Sequence, residues 1–203
     1  MRLALFGGSF DPIHRGHVEP VLTALRALDL DRVIYLPTAS PPHKTQRKSA
    51  PASARFTMVE LALLEEPRLE VSDFEMTSGG TAYTIDSIEH FSGLDQRADL
   101  VLLIGLDSLA ELPQWRRFRE IVERVEIGVL ARPGVDEDEV LAGLPRELLL
   151  AREADRLRFV ENPPVAISST RLRRMLAAGD APPTETLAPL VLQYLQKYPN
   201  LYV

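Results

Sequence analysis

The stretch Gly7-Gly8-Ser9-Phe10-Asp11-Pro12-Ile13-His14-Arg15-Gly16-His17 constrains this chain more than any other. Before it stands Leu3-Ala4-Leu5-Phe6, a short unbroken apolar run of the kind a buried parallel strand shows. Two glycines, a serine and an Asp-Pro pair then force a tight turn with an open backbone. Beyond Gly16 the period changes. Val18, Val21, Leu22, Leu25 and Leu28 recur at three- and four-residue spacing, the apolar face of a helix. The order strand, Gly-rich turn, helix aims free backbone N–H groups and a positive helix end at whatever lies above the strand, so an anion is the natural guest. His14 and His17 add two imidazoles able to donate to phosphate oxygens, and Gly16 between them lets a ligand approach the backbone. A Gly-Gly pair alone is usually only a turn, and a single His at a helix start is usually a cap or a surface residue. Two His, three Gly and an Asp-Pro pair at one junction favour the functional reading.

The rest of the chain alternates in the same way. Arg32–Pro37 is a second strand, completing a right-handed βαβ unit. The segment 38–48 holds two prolines and a basic cluster that exclude a helix interior or a central strand; it is a solvated loop or one that closes over an anion. A helix is expected over 54–66, a weak edge-like strand at Leu69–Val71, a flexible turn at 79–84, and a helix over 85–91 that Thr84 caps. The run 98–104 is the strongest buried-strand signal, and it delivers Gly105 and Asp107 to the carboxyl end, where open α/β sheets bind ligands. Asp107 either caps the next short helix or accepts from a ribose. A helix with the apolar face Phe118, Ile121, Val122 and Val125 leads to a strand over 126–131. Arg132, just past it, reaches nucleotide or stays at the surface; the residues support both. The segment 136–151 shows no chemistry. After a last strand at 157–160, Ile167-Ser168-Ser169-Thr170-Arg171-Leu172-Arg173 opens a helix that Gly179 closes. Ser169 or Thr170 is the default N-cap, yet three hydroxyls, a fresh helix N-terminus and two arginines also make a polyphosphate clamp. A final amphipathic helix spans 189–198.

These elements predict the α/β class with a doubly wound, mainly parallel sheet. At 203 residues one domain is the simplest expectation, with the C-terminal helical part, about 168–203, packed on it. The net charge of −6 argues against a nucleic-acid partner. No run of about 18 apolar residues predicts a membrane span. No secretory pattern and no cysteines are found, so a cytoplasmic location is the default. Self-association into a homo-oligomer is left open.

Five motifs, in order, resemble the HxGH nucleotidyltransferases, and GGSFDPIHRGH most resembles their bacterial nicotinate mononucleotide adenylyltransferases. The other four are Pro41-Pro42-His43-Lys44, the Tyr83-Thr84 turn, Gly105-x-Asp107 with Leu112-Pro113-Gln114-Trp115, and Ile167-Ser168-Ser169-Thr170-x-x-Arg173. The resemblance runs from Arg2 to about Arg173 and implies a Rossmann-like nucleotidyltransferase fold. It implies adenylyl transfer from ATP to nicotinate mononucleotide, giving deamido-NAD and pyrophosphate, within NAD biosynthesis. Such a transfer needs no side-chain nucleophile; it needs two anions aligned and charge stabilised on the α-phosphate and the leaving group. On this basis Gly8, Ser9 and Phe10 supply backbone to both substrates. His14, His17 and Arg173 are the catalytic candidates, with His17 nearest the α-phosphate. ATP is held by these with Gly105, Asp107, Arg132, Ile167, Ser168, Ser169 and Thr170. Nicotinate mononucleotide is held by Gly8, Ser9, Lys44, Tyr83, Thr84, Asp107 and Trp115, the indole stacking on the pyridine. Mg²⁺ is expected to be bound mainly through ATP phosphates and water, with no dedicated protein site. The alternatives are another mononucleotide or phosphopantetheine adenylyltransferase, and a non-catalytic nucleotide-binding module.

Overall fold

The computed structural model describes residues 1–39, 49–131, 134–163 and 165–202. Six strands form one sheet: β1 (Arg2–Gly8), β2 (Arg32–Pro37), β3 (Leu69–Val71), β4 (Asp99–Gly105), β5 (Glu126–Leu130) and β6 (Leu157–Val160). Their order is β3-β2-β1-β4-β5-β6 and every pairing is parallel. The sheet is therefore wholly rather than mainly parallel. The chain winds outward from β1 to β3, then returns to the other side of β1 as β4. The β1–β4 boundary is thus the switch point at which ligands enter such sheets.

Ten helices among the described residues cover the two faces: α1 (Arg15–Ala27), α2 (Ala52–Leu63), α3 (Phe74–Thr77), α4 (Thr84–Leu94), α5 (Leu106–Glu111), α6 (Phe118–Arg124), α7 (Glu137–Ala142), α8 (Arg146–Glu153), α9 (Ser169–Ala177) and α10 (Pro189–Lys197). Successive side chains of a strand point to opposite faces, and the core divides accordingly. Ala4, Phe6, Val33, Tyr35, Val101 and Leu103 pack with α1, α2, α9 and α10. Leu3, Leu5, Ile34, Leu36, Leu102 and Ile104 pack with α4, α5, α6 and α8. Strands buried on both sides read as unbroken apolar runs, which is why β1, β2 and β4 stand out in the sequence. Leu172, Leu187, Val191, Leu195 and Tyr202 bring the C-terminal elements into the first of these clusters.

Several local expectations shift. The helix expected over 54–66 runs from Ala52 to Leu63. Tyr83, not Thr84, is the N-cap of α4, and the Asp86 carboxylate accepts from the Tyr83 N–H at 3.2 Å. Ser168, not Ser169 or Thr170, takes the N-cap position of α9, and its hydroxyl makes no capping bond. Gly179 closes α9 as expected. It sits at φ 80°, with the Asp180 N–H donating to the Met175 carbonyl at 2.9 Å and its own N–H to Leu176 at 3.1 Å. Glycine carries that left-handed conformation without strain.

Candidate active site

Two cavities open at the carboxyl end of the sheet, and they meet at the turn after β1. Gly7 and Gly8 line one, Ser9 the other. The first, of about 580 Å³, is mostly apolar. It lies on the α4–α6 side, with Leu5, Leu36, Leu102 and Ile104 as floor and Tyr83, Thr84 and Trp115 in its wall. The second, of about 570 Å³, is mostly polar. It lies on the α1–α9 side between His14, Gly16 and His17 on one wall and Ile167, Ser168, Ser169, Thr170 and Arg173 on the other.

The turn is shaped by Phe10. Its φ of 44° bends the chain back, and the ring, 1% exposed, packs in the core. A Cβ on Gly8 would lie 2.8 Å from the tip of that ring, so glycine is required there by the protein's own packing. Phe10 can therefore offer a ligand only backbone. Gly16 has a similar explanation. A Cβ there would lie 3.0 Å from the His14 imidazole. The missing side chain thus makes room for the His14 ring, while the Gly16 backbone still lines the polar cavity.

The histidines are locked together. Their rings stack at 3.9 Å and 28°, and the His14 backbone N–H donates to His17 Nδ1 at 3.3 Å. An Nδ1 that accepts carries no proton, so the neutral His17 ring keeps its proton on Nε2, where it serves as a donor. The buried Tyr35 hydroxyl donates to the His17 carbonyl at 2.9 Å, which fixes the first turn of α1 against β2. Burial pushes the Tyr35 phenol well above its ordinary pKa, so it stays a neutral donor.

A buried polar network, not foreseen from the sequence, holds this wall. Asp11, 4% exposed, accepts from Ser49 Oγ at 2.7 Å, from the Ala50 N–H at 3.1 Å and from the Tyr202 hydroxyl at 3.0 Å. Arg173 donates to the Asp11 carbonyl at 2.6 Å and to Thr170 Oγ1 at 3.2 Å, and it lies 3.6 Å from the Asp11 carboxylate. Ser169 Oγ donates to the Pro12 carbonyl at 3.1 Å. So α9 is stitched to the first turn, and Arg173 reaches the cavity already oriented. Arg55, 1% exposed, donates to the carbonyls of Ser9 at 2.8 Å, Thr38 at 2.6 Å, Ala39 at 3.0 Å and Ala50 at 3.2 Å. Burial lowers its pKa and the nearby Asp11 opposes that shift. For Tyr202, burial and then the Asp11 carboxylate push the phenol well above its ordinary range. The one sequence signal for Arg55 was an arginine beside Ala54, Met58 and Val59, on the buried face of α2.

The polar cavity suits polyanions. The first turns of α1 and α9 both meet it, and neither carries an acid. N–H groups at two helix starts, two imidazoles, the hydroxyls of Ser168 and Thr170 and a guanidinium can all donate to phosphate oxygens, while the Ser169 hydroxyl is spent on Pro12. In the apolar cavity Trp115 closes a short 3₁₀ turn, Leu112–Gln114, its N–H donating to Leu112 at 3.0 Å. Its indole packs against the core on one side and lines the cavity. The Arg116 guanidinium covers the Tyr83 ring at 4.6 Å. Glu75, also missed in the sequence, is buried in the same wall; desolvation raises its pKa to about 7, opposed by a 3.0 Å hydrogen bond from Ser87. Gly105 lines the apolar cavity and not the polar one. Asp107 stands in the first turn of α5 and lines neither wall. Lys44 and Arg132 lie outside the described residues.

This geometry can be set beside known proteins. A family model described as cytidylyltransferase-like matches residues 5–175. A probable nicotinate-nucleotide adenylyltransferase of Solibacter usitatus is 41% identical over 205 residues, covering 100% of both chains. A protein of the same description from Clostridium tetani is 33% identical over 177 residues, 87% of this chain and 88% of its own. Among solved structures, the Plasmodium falciparum nicotinic acid mononucleotide adenylyltransferase complexed with NaAD superposes with a TM-score of 0.73 at 18% identity, covering 99% of this chain and 97% of its own. A putative nicotinate-nucleotide adenylyltransferase from Vibrio parahaemolyticus superposes at 0.71, also at 18% identity, covering 100% of this chain and 96% of its own. The structural likenesses speak for the fold; the sequence matches go further, and by them the chain belongs to the cytidylyltransferase-like family.

Proposed function

We infer that this protein is a nicotinate mononucleotide adenylyltransferase of NAD biosynthesis, joining AMP from ATP to the phosphate of nicotinate mononucleotide and releasing pyrophosphate. The observation that carries this reading is the pair of cavities meeting at Gly8 and Ser9. One is polar and ringed by phosphate donors; the other is apolar and faced by an indole. ATP fits the first and the pyridine nucleotide the second. The names of relatives that match most or all of this chain support the same assignment.

The attacking group is the substrate's own phosphate, so the protein's task is alignment and charge stabilisation. His17, its tautomer set by the His14 N–H, donates from Nε2 to the α-phosphate as charge builds there. His14, Ser168, Ser169, Thr170 and the oriented Arg173 hold the β- and γ-phosphates. Thr84 lies at the start of α4, where backbone N–H groups favour the ring carboxylate over an amide. Trp115 stacks on the ring.

Mg²⁺ fits as a counter-ion carried on the phosphates. Among the described residues no cluster of three His, Asp or Glu forms a metal cage, and the polar cavity's imidazoles and hydroxyls are phosphate donors. There His14, Ser168, Thr170 and Arg173 would hold the phosphates that carry the ion, and the chemistry Mg²⁺ would supply is neutralisation of charge on the leaving pyrophosphate. No helix among the described residues is long and apolar enough to cross a membrane. A cytoplasmic location would give the reaction its ATP.

Measuring pyrophosphate release with ATP, Mg²⁺ and each of three acceptors tests the proposal. Nicotinate mononucleotide should give the highest kcat/KM, above nicotinamide mononucleotide and phosphopantetheine. Release with phosphopantetheine alone, or with no acceptor, refutes it. Equal efficiency with acid and amide refutes the role given to the start of α4.

A further inference from the structure

Glu75 is a buried acid in the wall of a cavity meant for an anionic substrate. It stands in α3, 5% exposed, and its carboxyl accepts from Ser87 Oγ at 3.0 Å. Among the described residues the charged groups lining the cavity are Glu75, Glu111 and Arg116, and the Arg116 guanidinium is occupied over Tyr83 at 4.6 Å. Around Glu75, α3 is capped by Asp73, α4 contributes Asp86 in its first turn, and His90 stacks on Phe74 at 4.0 Å. No cation among the described residues offsets the burial of Glu75, which is why its carboxyl holds a proton up to about pH 7.

Among the described residues the wall thus carries two carboxyls against one guanidinium. The Glu75 carboxyl offers nothing to the substrate phosphate, and the ring carboxylate is met elsewhere in the wall, at the start of α4. The part that gains from Glu75 is the ring, whose quaternary nitrogen bears a fixed positive charge.

We propose that Glu75 is a specificity-determining residue that recognises the cationic pyridinium ring, so that the enzyme selects oxidised nicotinate mononucleotide over its neutral dihydropyridine form. This rests on the assignment of the apolar cavity to the pyridine nucleotide. Inside a cavity of low polarity an opposite charge favours the carboxylate, so binding of the cation expels the Glu75 proton. Selection for the oxidised ring therefore strengthens as pH rises through about 7. The face of Trp115 also favours a cation, but an indole does not titrate.

The test uses the native enzyme and Glu75→Gln, which keeps the side chain's size and can keep the bond from Ser87. Affinities for the oxidised and reduced mononucleotides are read from Trp115 fluorescence at pH 6.5 and 8. The substrate phosphate titrates alike in both ligands and cancels in their ratio. At pH 8 Glu75→Gln should weaken oxidised nicotinate mononucleotide about tenfold, leave the reduced form and the KM for ATP unchanged, and abolish the pH dependence of the ratio. Equal loss for both ligands, or no loss, overturns the proposal. If the variant does not fold, the native enzyme still decides: an oxidised-to-reduced preference that is absent, or constant between pH 6.5 and 8, overturns it. A native enzyme that releases no pyrophosphate with nicotinate mononucleotide refutes the function instead; normal native turnover with an indifferent Glu75→Gln refutes only the role of Glu75.

Discussion

The polar cavity is met by the first turns of α1 and α9, and neither carries an acid. The apolar cavity is met by α4 and α5, whose first turns hold Asp86 and Asp107. The same helix-start geometry is left open to anions on one side and is partly filled by the protein's own carboxylates on the other. The supports differ as well. The polar wall is fixed by polar groups: Asp11 accepts from Tyr202 and pairs with the half-buried Arg173, and the buried Arg55 holds the carbonyls of Ser9, Thr38, Ala39 and Ala50. The apolar wall is fixed by packing, with Trp115 leaning on the core. Where a reacting triphosphate must be aligned, buried charge supplies rigid direction; where a ring must be recognised, a flat apolar surface suffices.

The contrast should break most severely at Asp11. Asp11→Ala strands Arg173 and the Tyr202 hydroxyl in a buried site, and removing one partner of such a pair costs about 3–5 kcal/mol. Urea unfolding should show that loss, and the folded fraction should have a raised KM for ATP and an unchanged KM for the pyridine substrate. An equal rise in both would mean that the network does not belong to one cavity.

Glu75 gives the apolar side its own stability signature. Its folded pKa is raised from 4.5 to about 7, so the folded state holds the proton more tightly than the unfolded chain. The stability this supplies is complete below about pH 4.5 and is lost as pH rises through about 7, a swing of about 3 kcal/mol. Glu75→Gln, without ligand, should therefore be more stable than the native protein at pH 8 and similar to it at pH 4.5. Parallel urea midpoints at the two pH values would contradict the burial of an unpaired carboxyl.

A smaller effect separates chemistry from binding. His17→Ala should lower kcat more than about tenfold, at about 1.4 kcal/mol per factor of ten, with the pyridine KM little changed. Near-normal turnover with only a raised KM for ATP would reduce His17 to a ground-state contact.

Much of this was legible in the chain because it is local. Leu3–Phe6, the Gly-rich turn and the periodic face of α1 are adjacent in sequence, and the apolar runs of β2 and β4 announce burial on two faces. The hydroxyl triplet before α9 is likewise a local pattern. The missed residues act at a distance: Arg55 reaches Ser9 across 46 positions and Tyr202 reaches Asp11 across 191. In the sequence Asp11 was half of a turn-forming Asp-Pro pair and Arg55 the opening of a helix. Gly16 was read from its missing side chain alone; that absence also makes room for the neighbouring His14 ring, a contact that the folded turn reveals.

Trp115 is the chain's one tryptophan, and it lines only one of the two main cavities, so its fluorescence reports on the central claim directly. A cation over an indole face gains about 0.5–2 kcal/mol, and stacking of that kind alters emission. Titration with nicotinate mononucleotide alone should change the Trp115 signal in a saturable way, while ATP alone should change it much less. A change with ATP as large as that with the pyridine nucleotide, or none with the pyridine nucleotide, would contradict the assignment of one substrate to each cavity.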